Sequence, residues 1–168
     1  DGGAAAVEQH GDLLHLDQTR LDRLRGEATA AADGYEVLGW TGACPDELVD
    51  GYAALVARMS TDAPSGDLDI EPEVWDADRV RQVERLYAAQ GRVPHASVAR
   101  RGSDGVLVGY SEVLTKIHDP DNVFQQGTLV VREDRGHRLG MLVKLATLDR
   151  LRAAAPAARW LYTANAEE

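Results

Sequence analysis

A chain of 168 residues with 28 acidic and 18 basic side chains carries a formal charge of -10, which argues against nucleic acid as its default partner. That length suffices for one domain with its own core, and the single cysteine, Cys44, excludes an internal disulfide or a cysteine-based zinc site. No run reaches the roughly 18 consecutive apolar residues of a membrane helix, so a cytoplasmic protein without a membrane partner is expected; because the chain starts at Asp1 and not Met, a processed or truncated product is expected as well.

Up to residue 34 the pattern is weak: Leu13, Leu14 and Leu16 suggest a short strand, and Leu21, Leu24 and Ala28 recur at helical spacing. Gly34 punctuates, and residues 35–40 alternate as a strand. Pro45-Asp46-Glu47 signals a helix start, with Leu48, Tyr52, Leu55, Val56 and Met59 along one face. Residues 61–72 read as a loop; its carboxylates are either a solvated surface, the favoured reading, or an attractor for a cationic amine. A second helix is predicted over 76–90, carrying Val80, Val83, Leu86 and Tyr87. Strands follow over 96–101, 106–115 and 124–132, joined by a hairpin at Ser103-Asp104-Gly105 and a turn at 118–122. His118, Asp119 and Asp121 have ligand chemistry, but Pro120 and Asn122 favour a turn, and no metal is assigned. A helix from Leu139 to near Pro156 and a strand over 159–163 complete the order. Two helices, three antiparallel strands, a helix and a strand predict an α+β fold, three-layered (α/β/α) around a mixed, mainly antiparallel sheet.

The most informative stretch is Arg135-Gly136-His137-Arg138-Leu139-Gly140, between the apolar run 128–131 and the long helical pattern. Strand, glycine-bearing turn and helix aim several backbone N–H groups at one spot, at the positive end of a helix dipole. Two arginines and a histidine at a helix start are disfavoured by roughly a few tenths of a kcal/mol, and a bound anion such as phosphate reverses that penalty. The loop reads as an anion cradle.

These residues resemble the signature of the GNAT superfamily, N-acyltransferases that use acyl-coenzyme A. The family pattern, Arg/Gln-x-x-Gly-x-Gly/Ala, often written Arg-Gly-x-Gly-x-Gly, is matched at Arg135, Gly136 and Gly140, while Arg138 replaces the middle glycine. With Lys144 downstream, the stretch is similar to a subgroup of actinobacterial enzymes, many built from two GNAT domains in tandem. The resemblance covers residues 37–168. It implies acetyl-coenzyme A as cofactor, its pyrophosphate on the loop amides of Arg135, Gly136, His137, Arg138, Leu139, Gly140 and Met141. Backbone groups of Val130, Val131 and Arg132 would pair with the pantetheine arm, and Asn165 would face it, with a turn-forming role as the rival for Asn165. At Arg138 the side chain must point away from the cofactor or bring its guanidinium to a phosphate, either being open if φ there is negative. His137 either meets a phosphate or faces solvent.

The resemblance also implies an absence. Family members usually continue past the last strand with a helix and a further strand, a piece that often supplies a tyrosine as general acid. The domain is therefore expected over 35–168 with an incomplete C-terminal end, and residues 1–34 as a linker or the tail of a preceding domain. The strand at 159–164 would then need a neighbour from another copy, another chain or residues 1–34. A homodimer or a companion GNAT domain is the partner this implies.

Among candidate chemical groups, Glu112 leads. Period two places Val106, Val108, Tyr110, Glu112 and Leu114 on one strand face, setting a carboxylate on an apolar surface beside a tyrosine. Burial would raise its pKa toward that of a general base; otherwise Glu112 faces water near a strand end. Gln125, Gln126 and Thr128, the last two on one face with Val130, are candidates with Tyr110 for lining the amine site, and plain edge-of-strand polarity is the rival. The leading expectation is an N-acetyltransferase acting on a small primary amine. The alternative is a degenerate GNAT domain kept for cofactor binding, dimerisation or regulation. A P-loop or Rossmann site is disfavoured, since no Gly-x-x-x-x-Gly-Lys-Ser/Thr occurs and short hairpins join the strands.

Overall fold

The computed structural model describes residues 6–62 and 74–166. A six-stranded sheet runs in the order β1-β6-β5-β4-β3-β2, with β1 Ala6–Asp12, β2 Tyr35–Thr41, β3 Arg92–Arg101, β4 Leu107–Lys116, β5 Asp119–Val130 and β6 Trp160–Ala166. Helices α2 (Val49–Asp62) and α3 (Ala77–Ala89) cover one face; α1 (Gln18–Ala31) and α4 (Leu139–Ala154) cover the other. The mixed, mainly antiparallel three-layer arrangement is the one the sequence predicts.

Local signals explain most boundaries. Asp17 and Asp76 cap α1 and α3, accepting from the backbone N–H of Arg20 at 3.1 Å and of Arg79 at 2.9 Å. Gly91, at φ 67°, stops α3 and lets β3 begin at once, four residues earlier than the apolar pattern indicates. Two expectations fail here. Residues 118–122 are not a free turn: β5 starts at Asp119, and Asp119 pairs with Lys116 across a tight connection. Leu13–Leu16 is not a strand, because Asp12 accepts from Leu14 N–H at 3.0 Å and turns the chain into a short 3-10 helix at Leu13–His15. Most of the 61–72 loop lies outside the described residues, with α2 continuing to Asp62.

Every neighbouring pair is antiparallel except β5–β6, which is parallel and pairs only from Asn122–Phe124 to Trp160–Tyr162. Past Phe124 the two strands part, opening a V in the sheet. The far edge of β6 is covered by the chain's own start: β1 pairs with it from Ala6↔Ala166 to Asp12↔Trp160, and α1 packs on α4. Of the three possible sources of a neighbour for β6, residues 1–34 supply it, and residues 6–31 are thus built into this sheet and its helical layer.

The main core lies between the sheet and α2, α3 and α4, around Trp40, Tyr52, Leu55, Val98, Val108 and Leu139. Leu139, 1% exposed, ties the first turn of α4 to it; truncating such a side chain to Ala costs about 2–5 kcal/mol. A smaller cluster of Leu13, Val113, Val123, Leu151 and Ala158 seals the closed end of the V. No helix among the described residues is long and apolar enough to cross a membrane.

Candidate active site

After Val131 the chain makes a 3-10 turn at Arg132–Asp134, passes Gly136 at φ 93° and enters α4 through Arg138. The first bond of α4 runs from Leu142 N–H to Arg138 C=O at 3.1 Å, and Arg138 makes no side-chain cap bond. The N–H groups of Leu139, Gly140 and Met141 therefore stand ahead of the helical ladder, at its positive end.

The basic side chains go elsewhere. Arg138 Nη1 donates to Glu27 Oε2 on α1 at 2.8 Å, Arg135 Nε donates to the Val130 carbonyl at 3.2 Å, and the His137 ring lies 5.2 Å from that of Tyr35. Arg138 does not meet the negative-φ condition. Its φ is 55°, the left-handed conformation that suits the glycine of the family pattern, so the loop keeps its path and the substitution is absorbed as strain of about 1–2 kcal/mol. Leu139 contributes only backbone, since its side chain is in the core, whereas Met141 is exposed.

A brace that the sequence analysis missed holds the loop from below. Asp134, 3% exposed, accepts from Tyr35 Oη at 2.8 Å and from Arg101 Nη1 at 2.9 Å, while Arg101 also donates to Asp104 at 2.7 Å. The bonds to Asp104 and Asp134 push the Arg101 pKa up, and the bond to Asp134 does the same to the Tyr35 phenol. Only the long-range contact of β2, β3 and the loop reveals this; the sequence spacing of 99 residues between Tyr35 and Asp134 carries no signal.

In the V, a cleft of about 710 Å³ opens on the α1/α4 face, bounded by Leu13, Leu21, Lys144, Leu148, Gln125 and Thr128. Val131 N–H is bonded to Val108 C=O at 2.8 Å, on the β4 side; alternation turns the polar groups of Val130 to the other edge, facing the V. The residues beside the cleft are displaced by a bulge. Glu112 pairs with Gly127 but Val113 with Gln125, leaving Gln126 unpaired. This breaks the expected period: Gln125 and Thr128 share the α4 face and meet Ser111, Thr128 Oγ1 lying 3.1 Å from Ser111 Oγ. Gln125 Nε2 clamps the bulge by donating to the carbonyls of Glu112 and Gly127, both at 3.0 Å. Asn165 sits on β6 opposite Val7, and its side chain lies outside the described residues.

On the opposite face of the sheet a second cavity, of about 230 Å³, lies under α2 and α3. Gln126 and Gly127 line both cavities, so the bulge is where the two approach each other through the sheet. Tyr110 and Glu112 form its floor and Tyr52, Tyr87 and Trp75 its walls. Glu112 is buried, and its carboxylate accepts one hydrogen bond among the described residues, from Tyr52 Oη. Burial, above all, holds its pKa above the ordinary carboxylate value; the Tyr52 bond opposes this and the nearby Glu84 charge adds to it. Burial and the Glu112 charge likewise raise the phenols of Tyr52, Tyr87 and Tyr110. Glu84 is committed already, accepting from Cys44 N–H at 2.8 Å and Arg81 Nη1 at 2.9 Å. Burial pushes the Cys44 thiol up to about 12, which leaves it protonated and without nucleophilic character at neutral pH. Tyr52, Tyr87, Glu84 and Trp75 escaped the sequence analysis as site residues; Tyr52, a polar-tipped ring on an apolar helix face, was the one readable signal.

No protein-family model matches the sequence, and no curated protein matches it. Solved structures do. A tandem GNAT protein from the clavulanic acid biosynthesis pathway is similar over 98% of this chain, with 28% identity and a TM-score of 0.73. The C-terminal DUF2156 domain of a putative lysylphosphatidylglycerol synthetase from Agrobacterium fabrum is similar over 94%, with 11% identity and a TM-score of 0.60. A GNAT-family acetyltransferase from Streptococcus pneumoniae is similar over 76% of this chain and 73% of its own, with 14% identity and a TM-score of 0.54. This chain spans 46% and 47% of the first two. The chain has the GNAT fold, one that supports acyl transfer.

Proposed function

We propose that this domain transfers an acetyl group from acetyl-coenzyme A to a small primary amine. The observation that carries this reading is the pair of cavities on opposite faces of one sheet, which converge at the bulged Gln126–Gly127 segment where β5 and β6 part. The residues present fit the cofactor. The open N–H groups of Leu139, Gly140 and Met141, with the left-handed turn before them, suit a pyrophosphate, and the adjoining cleft is large enough for an extended arm. Bound there, acetyl-coenzyme A supplies the acyl group as an activated thioester.

The chain's own part is to hold the amine and take its proton. Glu112 lies at the floor of the amine cavity, opposite Gly127 across β4 and β5. Burial raises its pKa above the ordinary carboxylate value, the direction a general base needs. Tyr52 orients the carboxylate through Oε2. Retention of the loop path at Arg138 weighs for a working cradle over a degenerate one.

The test is direct. Coenzyme A titrated into the protein by calorimetry should bind, and acetyl-coenzyme A with a panel of primary amines should release free thiol in step with acetylated amine. Absence of coenzyme A binding would overturn the proposal.

A further inference from the structure

We infer, building on that reading, that the amine taken by this domain is a compact apolar or aromatic monocation without a carboxylate or phosphate of its own. The smaller cavity contains one charged group with a claim on a ligand, Glu112, whose single hydrogen bond among the described residues leaves most of its acceptor capacity unused. A buried carboxylate in that state favours an ammonium partner. The surfaces around it are of two kinds: the aromatic rings of Tyr52, Tyr87 and Tyr110, which attract cations, and the aliphatic patches of Val80 and Val83.

No basic side chain lines this cavity among the described residues. Three arginines lie nearby without lining it. Arg79 stacks on the outer wall, its guanidinium carbon 5.2 Å from the centroid of the Trp75 ring. Arg81 donates to Glu84, to Asp46 at 2.6 Å and to the Cys44 carbonyl at 2.8 Å; Arg92 lines a separate cavity beyond Glu84 and Pro94. A substrate carboxylate would therefore enter a site holding Glu112 and Glu84, with no basic side chain among the described residues lining it to receive that charge. An amino acid, a nucleotide or a sugar phosphate is the wrong class; an arylalkylamine or branched alkylamine is the right one. At about 230 Å³ the cavity also fits a small molecule better than a peptide side chain in its backbone context.

Three probes of similar shape decide the matter on the unmodified protein at pH 7.5: phenethylamine, 2-phenylethanol and phenylalanine. Binding is measured by calorimetry with and without saturating coenzyme A. Phenethylamine should bind at least about tenfold more tightly than either of the others, the alcohol losing the charge and phenylalanine adding a carboxylate. In Glu112→Gln the advantage of phenethylamine over 2-phenylethanol should collapse to about twofold or less. Phenylalanine binding as well as phenethylamine, or no binding of any probe, overturns the inference. Coenzyme A binding is read separately, so a protein that binds coenzyme A but prefers phenylalanine retains the acyltransfer reading and loses this one. One that binds phenethylamine selectively but not coenzyme A does the reverse.

Discussion

The anion loop and the carboxylate pocket recognise by opposite means. In the loop the side chains of Arg138, Arg135 and His137 are engaged elsewhere, with Glu27, Val130 and Tyr35, and the backbone is what remains presented. In the pocket the backbone is paired between β4 and β5 except at the bulged Gln126, and a buried side chain, Glu112, defines the chemistry. A backbone site depends on φ and ψ and on what braces them, so it tolerates changes of side chain. A buried side-chain site depends on one functional group and its desolvation, so it tolerates none.

The sharpest way to test the contrast is Glu112→Gln. It keeps the shape and an acceptor for Tyr52 but removes the base; the rate constant should fall by about 10²–10⁴-fold while coenzyme A affinity hardly changes. The same variant should show a stability signature. Because the folded-state pKa of Glu112 is raised, wild-type stability is greatest below the ordinary carboxylate value and declines as pH rises through the raised one. Glu112→Gln lacks that decline, so its melting temperature should exceed that of wild type at pH 8 and approach it near pH 4. Full activity in the variant would remove Glu112 as base.

Asp134→Ala attacks the loop through its brace. It leaves the Tyr35 hydroxyl without its acceptor and Arg101 with Asp104 alone, at a cost of about 1–3 kcal/mol. Melting temperature and coenzyme A affinity should fall together; affinity untouched in a destabilised protein would separate the brace from the cradle.

Gly140→Asp places a carboxylate beside the open amides. A Cβ at Gly140 meets only Val130 Cγ2, at 3.7 Å, so the change acts through charge and not through a clash. Coenzyme A affinity should drop roughly tenfold or more, with little change in melting temperature. Unaltered affinity would move the pyrophosphate site away from this helix start.

The smallest effect is expected for Arg138→Gly. It relieves left-handed strain of about 1–2 kcal/mol and gives up an exposed ion pair with Glu27 worth about 0–1 kcal/mol. Stability should stay level or rise slightly, and coenzyme A affinity should remain within about twofold of wild type. A large loss of affinity would show that the guanidinium itself reaches the anion and that this site is not read by backbone alone.

The sequence by itself determined what local chemistry can encode. Apolar periods placed α3 and α4 and the strands on either side of the 103–105 hairpin, and Asp76, the predicted start of the second helix, caps α3. Period two set Glu112 and Tyr110 on one face because β4 runs regularly between them. Where period two was interrupted, inference failed. The bulge at Gln126 inserts a residue whose presence shows only in the partner strand's register, and it moved Thr128 and Gln125 to the α4 face. The left-handed φ of Arg138 was likewise not readable from its residue type, since non-glycine side chains rarely adopt it. Tertiary structure alone brought Tyr52 to Glu112 across 60 residues and Tyr35 to Asp134 across 99. It also placed β1 along β6, joining the two ends of the chain. Such contacts form because burial and edge pairing act on surfaces, and a surface is assembled from segments that the sequence keeps apart.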